Sequence, residues 1–153
     1  MGSHGRFLGL AMMLFPFVAG AVAGQSAELL DSVSNDRPLT IGRAAALVGS
    51  VSGSLPAAAS SNEAADQLRA IGFALPKKKS DQTITVGEYS FLVIQLLDLP
   101  AGALYSIFPG PHYAVRELES RQVLVPGTRP GSLISGQEAL RILGMLVRAE
   151  TTE

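Results

Sequence analysis

Apolar residues recur along this chain at helical rather than strand spacing. In "IGRAAALVGSV" Ile41, Ala45, Val48 and Val51 fall on one helix face. After the loop "GSLPAAASS", the stretch "SSNEAADQLRAIGF" sets Ala64, Leu68 and Ile71 at helical spacing, with Gly72 as its stop. "ALPKKKSDQT" reads as a loop. "YSFLVIQLLDL" is apolar nearly all round, which predicts a central buried helix. Pro100 ends it, because a proline pushes the preceding residue out of helical geometry. "AGALYSIF" reads as a short helix or turn, and "PGPHYAVRELESRQV" as an amphipathic helix carrying Tyr113, Leu118 and Val123. A tight loop, "LVPGTRPGS", leads to a last helix over 135–149 with Leu140, Leu143 and Val147 on one face. Residues 25–38 are polar apart from "AELLDSV", a short helix or loose arm.

Three of these helices open on a Ser or Thr followed three residues later by Glu: Ser60 with Glu63, Thr85 with Glu88, and Ser135 with Glu138. That spacing is a capping box, in which side chains satisfy amides left open at a helix start. The pattern predicts an all-α fold of about five to six short helices, with at most two-residue bridges in "ALP" and "LVP".

Sliding the chain on itself by 50 residues lays 64–97 over 114–147 without a gap. Ala64/Ala114, Leu68/Leu118, Pro76/Pro126, Ile84/Ile134, Glu88/Glu138 and Leu96/Leu146 are identical. Apolar positions also pair at Phe73/Val123, Leu75/Val125, Leu92/Ile142 and Val93/Leu143, so loop falls on loop and cap on cap. A shift of 45 lays "LTIGRAAALV" over "ITVGEYSFLV". The unit is helix, loop, capped helix, and the first copy contributes only its second half. Such copies bury their apolar faces against one another and make one core.

Composition places the repeat in context. The chain has 153 residues, 47% of them hydrophobic, and a formal net charge of -1, which suits a single folded domain and leaves no electrostatic footprint for nucleic acid. Its first residues, "MGSHGRFLGLAMMLFPFVAGAVAGQS", have Arg6, an apolar run from 7 to 18 and the small-residue "AVA" before Gly24. That is the layout of a secretory leader over 1–23, followed by an arm at 24–38 and the repeat domain at 39–149. A membrane association would come only through an uncleaved leader. With no cysteine, the exported domain has no disulfide and is held by its core alone.

The third copy, "HYAVRELESRQVLVPGTRPGSLISGQEALRILGMLVR", runs from His-aromatic-Ala through a hydrophobic pair and a Gly-containing loop to an Ile-Ser-x-x-Glu-Ala helix start. This order resembles the S-layer homology repeat. The resemblance implies a helical domain of the cell envelope, and the family is associated with binding cell-wall polysaccharide. Yet the position where that family typically carries an Arg holds Ile41, Val86 and Gly136 here, and its Gly-aromatic-Asp-Gly loop is missing. The skeleton matches, whereas the group that would grip an anionic glycan does not.

Candidate chemistry is sparse. His112 is the only histidine beyond the leader, which excludes a zinc site of His and Cys; at a helix start after Pro111 it reads as a packing or capping residue. Glu88 and Glu138 are equivalent carboxylates, but the capping box accounts for both. No phosphate loop follows "GTRPG". No catalytic residue, metal or cofactor is therefore assigned. Arg43, Arg69, Arg116, Arg121, Arg129, Arg141 and Arg148 are the basic candidates for ligand contact, and Arg129 with Lys77, Lys78 and Lys79 should share one side of the array. Tyr105 and Phe108 belong to an apolar stretch, "LPAGALYSIFPG", suited to a protein contact. The expectation is a non-catalytic module that docks on an envelope protein or a cell-wall polymer, or a subunit of a larger periplasmic assembly. A small periplasmic hydrolase is the disfavoured alternative.

Overall fold

The computed structural model describes residues 19–56 and 59–150, so most of the expected leader lies outside the described residues. Among the described residues the fold is all-helical: α1 (Ala19–Asn35), α2 (Ile41–Val51), α3 (Ser61–Ala70), α4 (Val86–Leu96), α5 (Ala103–Ile107), α6 (Pro111–Ser120) and α7 (Gly136–Glu150). Seven helices exceed the expected five to six because the polar arm folds as α1 and "ALYSI" closes as α5. The two bridges pair Thr40 with Thr83 and Thr85 with Leu133. They lie where α2 and α4 begin, not in "ALP" or "LVP".

Those bridges belong to a closed cycle. The amide of Leu39 donates to the carbonyl of Ile134 (2.9 Å), Ile134 to Ile84 (3.4 Å), and Ile84 to Leu39 (3.1 Å). The 45- and 50-residue shifts make these three residues equivalent, and all are 2% exposed or less. Each copy thus bonds the next, and the third bonds the first.

Donation in the opposite sense around the ring satisfies the amides that a helix start leaves open. Ile41 and Gly42 of α2 donate to Gln82 and Ser80; Val86 and Gly87 of α4 donate to Ser132 and Pro130; Gly136 of α7 donates to Asp36. Helix packing follows suit, with α3 on α2, α6 on α4 and α1 on α7. Helix α1 therefore stands where α3 and α6 stand in their copies. The first copy has both of its halves, which corrects the expectation of a half copy. Its α1 and α2 are joined by 36–40 alone, against 71–85 and 121–135 elsewhere, so no ungapped comparison aligns it.

Close packing around the cycle dictates small residues. A Cβ on Gly42 would meet the Ser61 carbonyl oxygen at 2.1 Å, and one on Gly136 would meet that of Val33 at 1.5 Å. Tyr89 is fully buried, and its hydroxyl donates to the Ala139 carbonyl at 2.8 Å. Position 139 is its own repeat equivalent, so this bond ties α4 to α7.

Two core expectations differ. Ile71 is 58% exposed and Val51 45%, because both helices have effectively ended there and the chain turns outward. The caps divide as well. Thr85 and Glu88 form a reciprocal box. Ser135 accepts the Glu138 amide at 3.3 Å, while the Glu138 carboxylate turns to Arg141. Ser60 makes no side-chain cap bond.

Candidate functional site

Two clefts occupy equivalent places in the second and third copies. One, of about 210 Å³, is lined by Leu75, Pro76, Glu88, Phe91 and Pro111. The other, of about 480 Å³, is lined by Val125, Pro126, Glu138 and Arg141 at the matching positions, and by Glu119. Phe91 in one copy becomes Arg141 in the other. The first cleft is consequently apolar and the second charged.

The charges of the second cleft are committed to each other. Arg141 straddles the Glu138 carboxylate at 2.6 and 2.8 Å and donates to the Val123 carbonyl at 2.9 Å. This two-pronged hydrogen bond holds the Glu138 carboxyl below the usual range even against partial burial, and raises the Arg141 pKa. Glu119 accepts the Thr128 amide at 2.9 Å. A ligand here would have to break a fastening that the fold already uses.

Two further basic candidates, Arg69 and Arg121, act like Arg141, as clamps on loop carbonyls. Arg69 donates to the Pro76 and Lys78 carbonyls at 2.7 and 2.8 Å and pairs with Asp66. Arg43 pairs with Asp36, and Arg121 pairs with Glu117 while donating to the Pro100 carbonyl. Arg116 lies 3.4 Å from the ring of His112, and both are exposed. The sequence shows these cations but not their acceptors, which for Arg69, Arg121 and Arg141 include backbone carbonyls of loops.

The three lysines separate. Lys78 pairs with Glu88 at 2.8 Å and so pins the loop to the cap of α4. Burial works to raise the Glu88 pKa; the hydrogen bonds from Lys78 and the Thr85 amide, with the lysine's charge, outweigh it and leave the pKa lowered. Lys77 and Lys79 are exposed beside an open groove of about 670 Å³ that also has Asp66 and Arg69 on its walls. Arg129 does not line that groove. It is exposed in the equivalent loop, where the Ser132 amide bonds to the Arg129 carbonyl just as Gln82 bonds to Lys79. The expected cationic surface is thus two separate loops, each laid on a different helix start.

Around α5 the picture is different. Tyr105 is a buried anchor rather than a contact residue: its ring packs 6.1 Å from that of Phe91, and burial, helped by Glu117, pushes its hydroxyl up to about 12. Leu104, Ile107 and Phe108 face outward, 62%, 65% and 55% exposed, with Phe108 stacked on Tyr113. Leu104 and Ile107 were not singled out from the sequence. The signal for them was a run without charge from 99 to 111, too long for a turn and too short for a core helix.

Among the described residues no cluster of His, Asp or Glu could hold a metal ion, and no helix is long and apolar enough to cross a membrane. Comparison of the chain with protein-family models, curated proteins and solved structures finds no match.

Proposed function

We propose that this chain is a non-catalytic docking module of the cell envelope, built on a repeat similar to that of S-layer homology domains, and that it binds a protein partner through α5. The observation that carries the reading is the ridge of Leu104, Ile107 and Phe108. Arg43, Arg69, Arg121 and Arg141 are paired within the ring, whereas on α5 three large apolar side chains stand in water side by side. The first two copies are joined by 52–60, which tucks Leu55 inward; the next two are joined by 97–110, which holds the additional helix. Insertions between repeats tend to gather on a binding face.

Envelope location rests on the leader-like N-terminus and on the family resemblance. A cell-wall polymer is the weaker partner, since the family's arginine is absent and the charged cleft presents two carboxylates. Retention of the purified chain on immobilised envelope proteins, and its loss in Ile107→Asp, is the expected result. Retention on cell-wall sacculi that Ile107→Asp leaves intact would transfer the function to the glycan and away from α5.

A further inference from the structure

We infer that Met145 is a site of oxidation by peroxides, and that Arg141 holds the sulfoxide formed there. No cysteine occurs in the chain, and Met145 is the one methionine among the described residues, so its thioether is their only sulfur. It stands on α7 with 40% of its surface exposed, within reach of a dissolved oxidant. The sulfur is also a hydrogen-bond acceptor: Arg141, one turn earlier, donates to it through Nη1 at 3.0 Å.

What sets this methionine apart is the state of that guanidinium. Nε donates to Glu138 at 2.8 Å, and Nη2 donates to Glu138 at 2.6 Å and to the Val123 carbonyl at 2.9 Å. Nη1 bonds to no oxygen among the described residues; its bond ends on a thioether, a weak acceptor. In the reaction the sulfur gives a lone pair to one oxygen of hydrogen peroxide. The S–O bond forms as the O–O bond breaks, and the departing hydroxide takes the proton of the transferred oxygen and leaves as water. Sulfur is oxidised by that electron pair and the peroxide reduced by it. The flexible side chain can turn its new oxygen to Nη1, giving a charge-assisted hydrogen bond without displacing Glu138 or Val123 from the other nitrogens. Oxidation of a core methionine puts a polar group among apolar ones and loosens a fold. At 145 the polar group lies outside beside an under-used donor, so oxidation should tighten the clamp between α7 and the loop at Val123.

Treatment of the purified chain with hydrogen peroxide, followed by peptide mapping, should place one oxygen on Met145 at a rate within about tenfold of that in the urea-unfolded chain. The oxidised chain should melt about 1–3 °C above the reduced one. Met145→Leu treated alike should show no shift, which separates position 145 from Met1, Met12 and Met13. The gain should vanish in Arg141→Leu, a change suited to a repeat that already carries an apolar residue, Phe91, at the equivalent position. Circular dichroism checks that this variant keeps its helices. Arg141→Lys, which keeps the charge without the fork, is the second variant and should show a smaller gain. Another comparison needs no oxidant, since Met145→Gln offers Nη1 an amide oxygen, Met145→Leu offers none, and the three residue types have similar helix propensities. The melting temperature of Met145→Gln relative to Met145→Leu should be higher with Arg141 in place than with leucine or lysine at 141. A Met145 that stays reduced in the folded chain, an oxidised chain that melts below the reduced one, or a gain undiminished in the Arg141 variants would overturn the inference.

Discussion

At position 136 a Cβ would sit 1.5 Å from the Val33 carbonyl oxygen, so α1 can lie on α7 only across a glycine. Gly136→Ala forces the two helices apart and should destabilise the fold by about 1–3 kcal/mol in urea denaturation. Gly144, in the same helix, has nothing within 4 Å of a built Cβ, and Gly144→Ala should stabilise by about 0.5–1 kcal/mol. A similar contrast exists between Gly72 and Gln122, equivalent residues that end α3 and α6 with φ of 102° and 60°. Each lets the next amide reach back, Phe73 to Leu68 and Val123 to Leu118. Glutamine is strained there, so Gln122→Gly should be neutral or stabilising by up to about 1 kcal/mol, while Gly72→Ala destabilises by about 1 kcal/mol. The carboxylates at 88 and 138 act through pH. Both pKa values lie below the ordinary 4.5 in the folded chain, so their contribution is complete above that value and disappears as pH falls through the lowered ones. Melting temperature should therefore drop on acidification below 4.5, and more shallowly in Glu88→Gln and Glu138→Gln.

Helices owe their limits to local chemistry and their arrangement to contacts between copies, and this division decided what could be read in advance. The starts of α2, α4 and α7 were legible because an apolar period begins there beside a Thr or Ser, and α4 was legible as buried because no polar face interrupts it. Helix α1 was not recognised as half of a copy: its connection to α2 is short, and its apolar pattern is weaker than its placement on α7. Nor could spacing reveal that Arg69, Arg121 and Arg141 hold loop carbonyls, since a backbone acceptor has no residue type. The candidate site was half legible. "LPAGALYSIFPG" was visible as an apolar stretch, but which side chain anchors and which faces water depends on Phe91, which comes to Tyr105 from α4. The clearest element-scale consequence concerns Leu39, Ile84 and Ile134. Equivalent in the cycle and equally buried, they should lose similar stability on truncation, about 2–5 kcal/mol each for the alanine variants measured by thermal unfolding. A much smaller loss at one of the three would mean that the cycle closes unevenly.

Among the described residues the ring of three copies leaves no end copy to cap, because their first helix, α1, packs on their last, α7. An open array of the same units would leave one helix face bare and one set of helix-start amides without acceptors. Closure also sets the cooperativity, since each copy's second helix is completed by the following copy. Deleting α1 through Asp36 removes the acceptor of the Gly136 amide and the packing of α1, through Val33, on α7. Because that copy no longer completes the third, the loss should spread around the cycle, and the shortened chain should lack a sharp unfolding transition in calorimetry. Exchanging 97–110 for the connection 52–60 is the opposite experiment. It removes α5 and the ring of Tyr105, yet leaves the three central hydrogen bonds and the acceptors at the starts of α2, α4 and α7 in place. That chain should unfold at a lower temperature, by the lost packing of Tyr105 on Phe91, but in a single transition. If both deletions broadened unfolding alike, α5 would be part of the ring's own support and not an insertion carried on it.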